Sequence, residues 1–299
     1  MKQAVEFRKL REFGDIIGDT FLFIKQNFKP LFKCIIYLCG IFILAGLAST
    51  LVQQLQMSKD MSDPMSITKV YGNSPFSMFY RYGLQYLFIL LFFILIYTSL
   101  YTTVLSYISL YIRKGNIPPS VAEVWAYYKY YFLRMMGSGF VMTIFFVLGF
   151  ILCLIPGFYI LPAFTLFFPI MIMENGSFGY SFTRSFKLTK DNWWITFATI
   201  IVILIITSFA SFVINIPAYV IAMISAFTHL EQPITKTYAI VVSLGQYLAL
   251  FVMTIPIISG ALLYYNLAER AESGGLLSRI NNLGQHGYSA PTENIPEEY

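Results

Sequence analysis

The 299-residue sequence is 57% hydrophobic and 18% aromatic but only 12% charged, with a mean hydropathy of +0.66 and a net charge of +5. An ordinary soluble domain carries roughly 25% charged residues, so too little polar surface is left to wrap a water-facing globule. Long runs without charge on any face also exclude a soluble all-helical core, whereas a surface solvated by lipid needs no polar cover.

Residues 1–30 form a cytoplasmic amphipathic N-terminal segment, rich in basic residues (Lys2, Arg8, Lys9, Arg11, Lys25, Lys29). A cleavable signal peptide needs a short basic start, a brief apolar core and a small-residue cleavage site. None is visible, so the first span reads as an uncleaved anchor. Six spans follow within a membrane domain at 31–268: 31–55, 84–112, 135–155, 157–173, 193–223 and 238–268. No Asp, Glu, Lys or Arg occurs in 84–112, 135–173, 193–230 or 237–268. Runs this long and this apolar are the mark of membrane spans. Pro156 and Gly157 mark a turn between spans 3 and 4. The tail, 269–299, reads as flexible and cytoplasmic, with a short helix at 276–283.

Threading follows from Lys and Arg. Sixteen fall before span 1 or at its start, between spans 2 and 3, between spans 4 and 5, or in the tail. Only Lys59, Lys69, Arg81 and Lys236 fall on the other side. The positive-inside rule then puts both termini in the cytoplasm of a cytoplasmic (inner) membrane protein.

Three segments preceding spans 1, 3 and 5 align without gaps, beginning at Ile17, Val121 and Phe182. Each carries a charge at its third position (Asp19, Glu123, Arg184), an aromatic two residues on (Phe21, Trp125, Phe186) and a lysine four beyond that (Lys25, Lys129, Lys190). A second aromatic stands three further along (Phe28, Phe132, Trp193). Such spacing gathers rings and ammonium groups on one helix surface, as in a helix lying among headgroups. Membrane flanks in general attract lysine and aromatics, so common solvation is a competing explanation. The fold class read from the sequence is all-α integral membrane, with about six transmembrane helices in three repeats of interfacial amphipathic helix plus helical hairpin. The units run in one direction, unlike the inverted repeats of many secondary transporters.

The stretch 152–197 carries a Pro-Gly turn, an aromatic proline-bearing span and the run Ser185-x-x-Leu188, Lys190-x-x-Trp193-Trp194. In these features it resembles a family of bacterial membrane proteins related to the membrane domain fused to glycerophosphodiester phosphodiesterases, which includes the YciC-like stand-alone proteins. The resemblance implies membrane location and a multi-span helical fold. About thirty residues follow span 6, with no soluble catalytic barrel, so the phosphodiesterase activity does not carry over.

Chemistry is sparse. His229 and Glu231 share a short loop without a third ligand, and Glu174 ends span 4, where a nearby Lys or Arg can pair with it. Met57, Met61 and Met65 have thioether spacing with Asp60 and Asp63 between them, but Pro64 disturbs the helix that would align them. Cys34, Cys39 and Cys153 lie in apolar stretches and behave as small hydrophobes. No P-loop, dinucleotide or zinc signature is present. No catalytic, cofactor or metal residues are therefore assigned, and the chain reads as a non-enzyme. The span interiors hold no Asp, Glu, His or Arg, which argues against proton-coupled transport. Asn215, Gln246 and Asn266 are the notable polar residues within them, read as intramembrane contacts between helices. Pro162, Pro169, Pro217 and Pro256 permit kinks.

The membrane-interface residues to which function is assigned are Lys25, Phe28, Trp125, Lys129, Phe132, Lys190, Trp193 and Trp194. They lead to a lipid- or partner-organising membrane component whose partners are anionic headgroups at the cytoplasmic face, with a membrane-protein partner as a further option and no nucleic acid. The alternative is a transporter or exporter of an apolar or amphipathic solute.

Overall fold

A computed structural model describes residues 5–62, 76–152, 154–228 and 236–286. Its helices are α1 (Phe13–Ser62), α2 (Ser77–Arg113), α3 (Val121–Leu152), α4 (Leu154–Met173), α5 (Phe178–Thr189), α6 (Trp193–Thr228), α7 (Lys236–Ala249) and α8 (Thr254–His286). Single 3-10 turns at Lys190–Asn192 and Leu250–Met253 join α5 to α6 and α7 to α8. Among the described residues there is no strand. Five helical stretches are long and apolar enough to cross a membrane (Phe13–Asp60, Tyr82–Arg113, Val121–Ile151, Phe178–Ser225 and Lys236–Glu272), and Gly157–Met173 is a shorter apolar helix. Asp63, Pro64, Met65, Cys153, His229, Glu231 and the end of the tail lie outside the described residues.

The 50 residues of α1 make a rod about 75 Å long. It passes through Pro30 without a break. Beside it runs α2, antiparallel, registered by polar pairs along the whole seam. Tyr107 Oη donates to Asn27 Oδ1 at 3.0 Å, Ser99 Oγ to Cys39 Sγ at 3.2 Å, and Tyr82 Oη to Asp60 Oδ2 at 2.6 Å. The buried face of α2 is small and hydroxylic: Ser99, Thr103 and Ser106 recur at helical spacing and are all fully buried. Small residues let helix backbones approach closely where lipid supplies no hydrophobic drive for association.

Turn chemistry ends α2 and starts α3. Gly115 and Asn116 take the left-handed conformation, φ 70° and 68°, which closes the helix. Ser120 and Glu123 then form a reciprocal capping box: Glu123 Oε2 accepts from Ser120 N at 2.7 Å, and Ser120 Oγ accepts from Glu123 N at 3.4 Å.

At the centre stands α8, in contact with α1, α2, α4, α5 and α6. Ile257, Ile258, Ala261, Leu262, Leu263, Tyr264, Tyr265 and Leu267 are all buried, the signature of a helix enclosed on every side. The helix continues to His286, beyond the 268 boundary expected for span 6.

The placement of α4 is oblique. The antiparallel pairing of α6 with α7–α8 is fixed at two levels. Asn215 abuts Gly245, and Thr199, Ile200 and Ile203 share a cavity with Pro256, Ser259 and Gly260. That register puts the start of α6 opposite the segment around Leu267. The far end of α4 reaches the same level, because Tyr264 Oη donates to Glu174 just beyond it at 2.9 Å. Its near end does too: Trp193 Nε1, the first residue of α6, donates to Tyr159 O at 3.1 Å. A 20-residue helix of about 30 Å thus begins and finishes at one end of the bundle. Antiparallel α3 and α4 form a hairpin whose tip, where Phe150 meets Phe158, comes back beside Phe197.

Candidate functional site

The three aligned segments lie at that same end, which is also the basic end. In the first two the segment is continuous with the span that follows, within α1 and α3. Only the third forms a separate helix, α5, broken from α6 by the 3-10 turn. All three share a structural role. The charge at the third position pairs back to a residue eight to ten positions earlier: Asp19 with Arg11 at 2.8 Å, Glu123 with Lys114 at 2.9 Å, and Arg184 with Glu174 at 3.4 Å. The expected partner of Glu174 is thus Arg184, and Tyr180 and Tyr264 also donate to its carboxylate.

The interface residues are arranged unequally around this end. Phe28 and Trp125 are exposed, Phe28 stacks on Phe32 at 5.4 Å, and Lys129 Nζ stands 5.6 Å from the centre of the Trp125 ring. Phe132 is turned inward against Phe42 and Tyr128. Lys25 borders a cavity of about 450 Å³ with Gln26, Asn27, Tyr111 and Asn116.

Lys190, Trp193 and Trp194 come together in a recess of about 630 Å³ whose other walls are Phe158, Tyr159, Asp191, Asn192 and Ile195. The geometry follows from the elbow between α5 and α6. Helix α5 is amphipathic, capped by Ser177 and seated through buried Ser181, Ser185 and Leu188. It runs back along the hairpin, with Phe182 5.9 Å from Phe145 and Phe186 6.4 Å from Tyr159. At the elbow Trp193 stacks between Tyr159, at 6.0 Å, and Phe197, at 4.9 Å. Trp194, 77% exposed, projects outward beside it. An ammonium at the rim of an aromatic wall is the arrangement that suits a headgroup phosphate above an acyl boundary.

The N-terminal segment folds back against α1, α2 and α8. Phe7 inserts between Phe23, Tyr111 and Tyr265, with ring centres 5.1, 6.4 and 5.8 Å away. The Arg11 guanidinium, 1% exposed, donates to Asp19 and to the carbonyls of Phe7, Lys9 and Glu6. Asn266 belongs here. Its Oδ1 accepts from Arg11 N at 2.8 Å, so it holds the N-terminal segment rather than a neighbouring span.

Asn215 and Gln246 line one cavity of about 450 Å³ between α1, α2, α6 and α7, together with Thr50, Gln53, Gln54 and Tyr247, although Asn215 Nδ2 donates within its own helix, to Ser211 O at 2.8 Å. Tyr247 and the Gln53–Gln54 pair were missed in the sequence, although two adjacent amides near the end of an apolar run are a readable signal. Arg11 was likewise counted only as flanking charge. Among the described residues no three His, Cys, Asp or Glu side chains converge as metal ligands.

Fold and surface together define a multi-span α-helical membrane protein. Comparison with family models, curated proteins and solved structures finds no match, and the family resemblance of 152–197 rests on its own residues.

Proposed function

We propose that this protein is a non-enzymatic component of a bacterial inner membrane that organises phospholipid at its basic, cytoplasmic end. The observation that carries the reading is the Lys190–Trp193–Trp194 recess. It offers one ammonium to a phosphate oxyanion and aromatic walls to the glycerol and upper acyl region. Lys25 and Lys129, set among exposed rings on the other two segments, extend the same chemistry around the bundle. Asp191 at the rim balances Lys190 and can receive the ammonium of an ethanolamine headgroup, whereas no acid lines the Lys25 cavity.

A basic side chain near a lipid surface contributes about 1 kcal/mol, or about fivefold in occupancy. Lys190→Gln is expected to lower the phospholipid retained by the purified protein about fivefold, read by native mass spectrometry. Replacing Lys25, Lys129 and Lys190 together with Glu is expected to remove most of it. Exchange into phosphatidylglycerol, phosphatidylethanolamine or phosphatidylcholine separates an anionic preference from a zwitterionic one. Retention unchanged by the triple replacement would overturn the reading. Movement of an apolar or amphipathic solute is the second reading, favoured by the cavity that joins Asn215 to Gln246.

A further inference from the structure

That second cavity stands far from the interface lysines: Thr50 is 25 positions beyond Lys25 on α1, about 38 Å along the helix. Its lining is polar in a specific way. Gln53, Gln54 and Gln246 contribute carboxamides, Thr50 and Tyr247 contribute hydroxyls, and no acidic, basic or imidazole group takes part. Gln53 is only 7% exposed, Gln54 is half-buried and Gln246 is exposed, and among the described residues none of the three amides has a hydrogen-bond partner. Ser211 Oγ, also on the wall, is buried without a partner. Polar groups that face a cavity in a bilayer-spanning bundle without a protein partner are costly to leave dry, so the deep Gln53 amide and Ser211 Oγ call for an occupant that can donate and accept.

Two glycines show that the wall is built rather than left over. A Cβ at Gly46 would lie 2.7 Å from Tyr247 Oη, and a Cβ at Gly245 would lie 2.6 Å from Asn215 Oδ1. The bare backbone at these positions lets both polar groups press against the opposing helix. Tyr247 Oη is then fixed by its 3.0 Å bond to Thr50 Oγ1. Opposite stands an apolar wall where Phe93 packs on Tyr97 at 4.4 Å. The mouth is lateral. Phe93 and Gln246 are both exposed and lie within membrane-crossing stretches, whereas Gln53 is deep. An entrance on the flank of the bundle admits molecules dissolved in the bilayer.

We propose that this cavity binds an uncharged glycerolipid of the diacylglycerol class, its hydroxyl and ester carbonyls on Gln53, Gln246 and Thr50 and its acyl chains leaving past Phe93. A phosphate would have to sit uncompensated among amides, and a plain hydrocarbon would leave the amides unpaired. The inference is independent of phospholipid docking at Lys190.

The test uses the whole protein in phosphatidylcholine nanodiscs containing a diazirine-bearing diacylglycerol, with cross-linked peptides identified after illumination. Label is expected on the α1 and α2 segments around Gln53 and Phe93. Excess unlabelled dioleoylglycerol should reduce it at least tenfold, and phosphatidylglycerol should not. Gln53→Leu with Gln246→Leu should give a similar loss, while Lys190→Gln should leave the label in place. Label spread evenly over the lipid-facing surface, or competed equally by phosphatidylglycerol, would overturn the proposal. The competition arms use the unaltered protein and do not depend on the variant folding.

Discussion

Replacing Arg11 with Ala is expected to release the N-terminal segment while leaving the bundle folded. The guanidinium is 1% exposed, pairs with Asp19 at 2.8 Å and holds three backbone carbonyls of its own segment. Breaking a buried ion pair costs about 3–5 kcal/mol, most of it from the charge left behind. Asp19 is 28% exposed and can be rehydrated, which places the cost at the lower end, about 3 kcal/mol. At 1.36 kcal/mol per tenfold, that is roughly a hundredfold rise in opening of the segment. Phe7 would then leave its aromatic socket. The measurement is amide hydrogen exchange across Phe7, Lys9 and Arg11, with Arg8→Ala as control, since exposed Arg8 removes the same charge. Arg11→Lys should recover little, because a single ammonium cannot reproduce a planar fork. Equal acceleration by Arg8→Ala and Arg11→Ala would refute the reasoning, since net charge rather than the clamp would then set the exchange.

Gly245→Ala is expected to destabilise the bundle by about 1–3 kcal/mol, the usual cost of overpacking, because the added carbon falls 2.6 Å from Asn215 Oδ1. Asn215→Ala in the same chain should recover most of it, so that unfolding measurements show clear non-additivity; additive costs would mean that α6 and α7 do not meet there. In single-cysteine proteins lacking Cys34, Cys39 and Cys153, Phe158→Cys should react with a membrane-impermeant thiol reagent from the same side as Lys190→Cys. Reaction from opposite sides would show that the α3–α4 hairpin crosses fully.

Much of the helical layout was legible because charge is nearly absent from the spans, and 299 residues with so few polar side chains leave little freedom in placing them. The interfacial segments were legible as a spacing, and their recurring back-pairing (Asp19 to Arg11, Glu123 to Lys114, Arg184 to Glu174) gives that spacing a mechanical sense. Their relation to the spans was not legible. Nothing between Phe28 and the first apolar run stops a helix once Pro30 is tolerated, so α1 runs through. Asp191 and Asn192 are weak helix formers, and there the third segment parts from its span.

The oblique course of α4 was hidden for a related reason. In water, amphipathic periodicity tells which face of a helix is buried. In lipid both environments are apolar, and a helix such as Leu154–Met173 reads the same whether it crosses or lies across. Its direction is set by a few polar bonds at its ends, Trp193 to Tyr159 O and Tyr264 to Glu174, joining residues far apart in the chain. The amide cavity is the same case. Gln53, Asn215 and Gln246 lie on three helices separated by up to about two hundred positions, and each alone is an ordinary polar residue in a span. Since lipid removes the apolar signal, polar side chains inside the spans carry nearly all the remaining information about which helices touch. That is why Asn266, read as one more interhelical contact, turned out to anchor Arg11, and why the amides of Gln53, Asn215 and Gln246, gathered from three helices around one cavity, say more about the packing of the bundle than its apolar surfaces do.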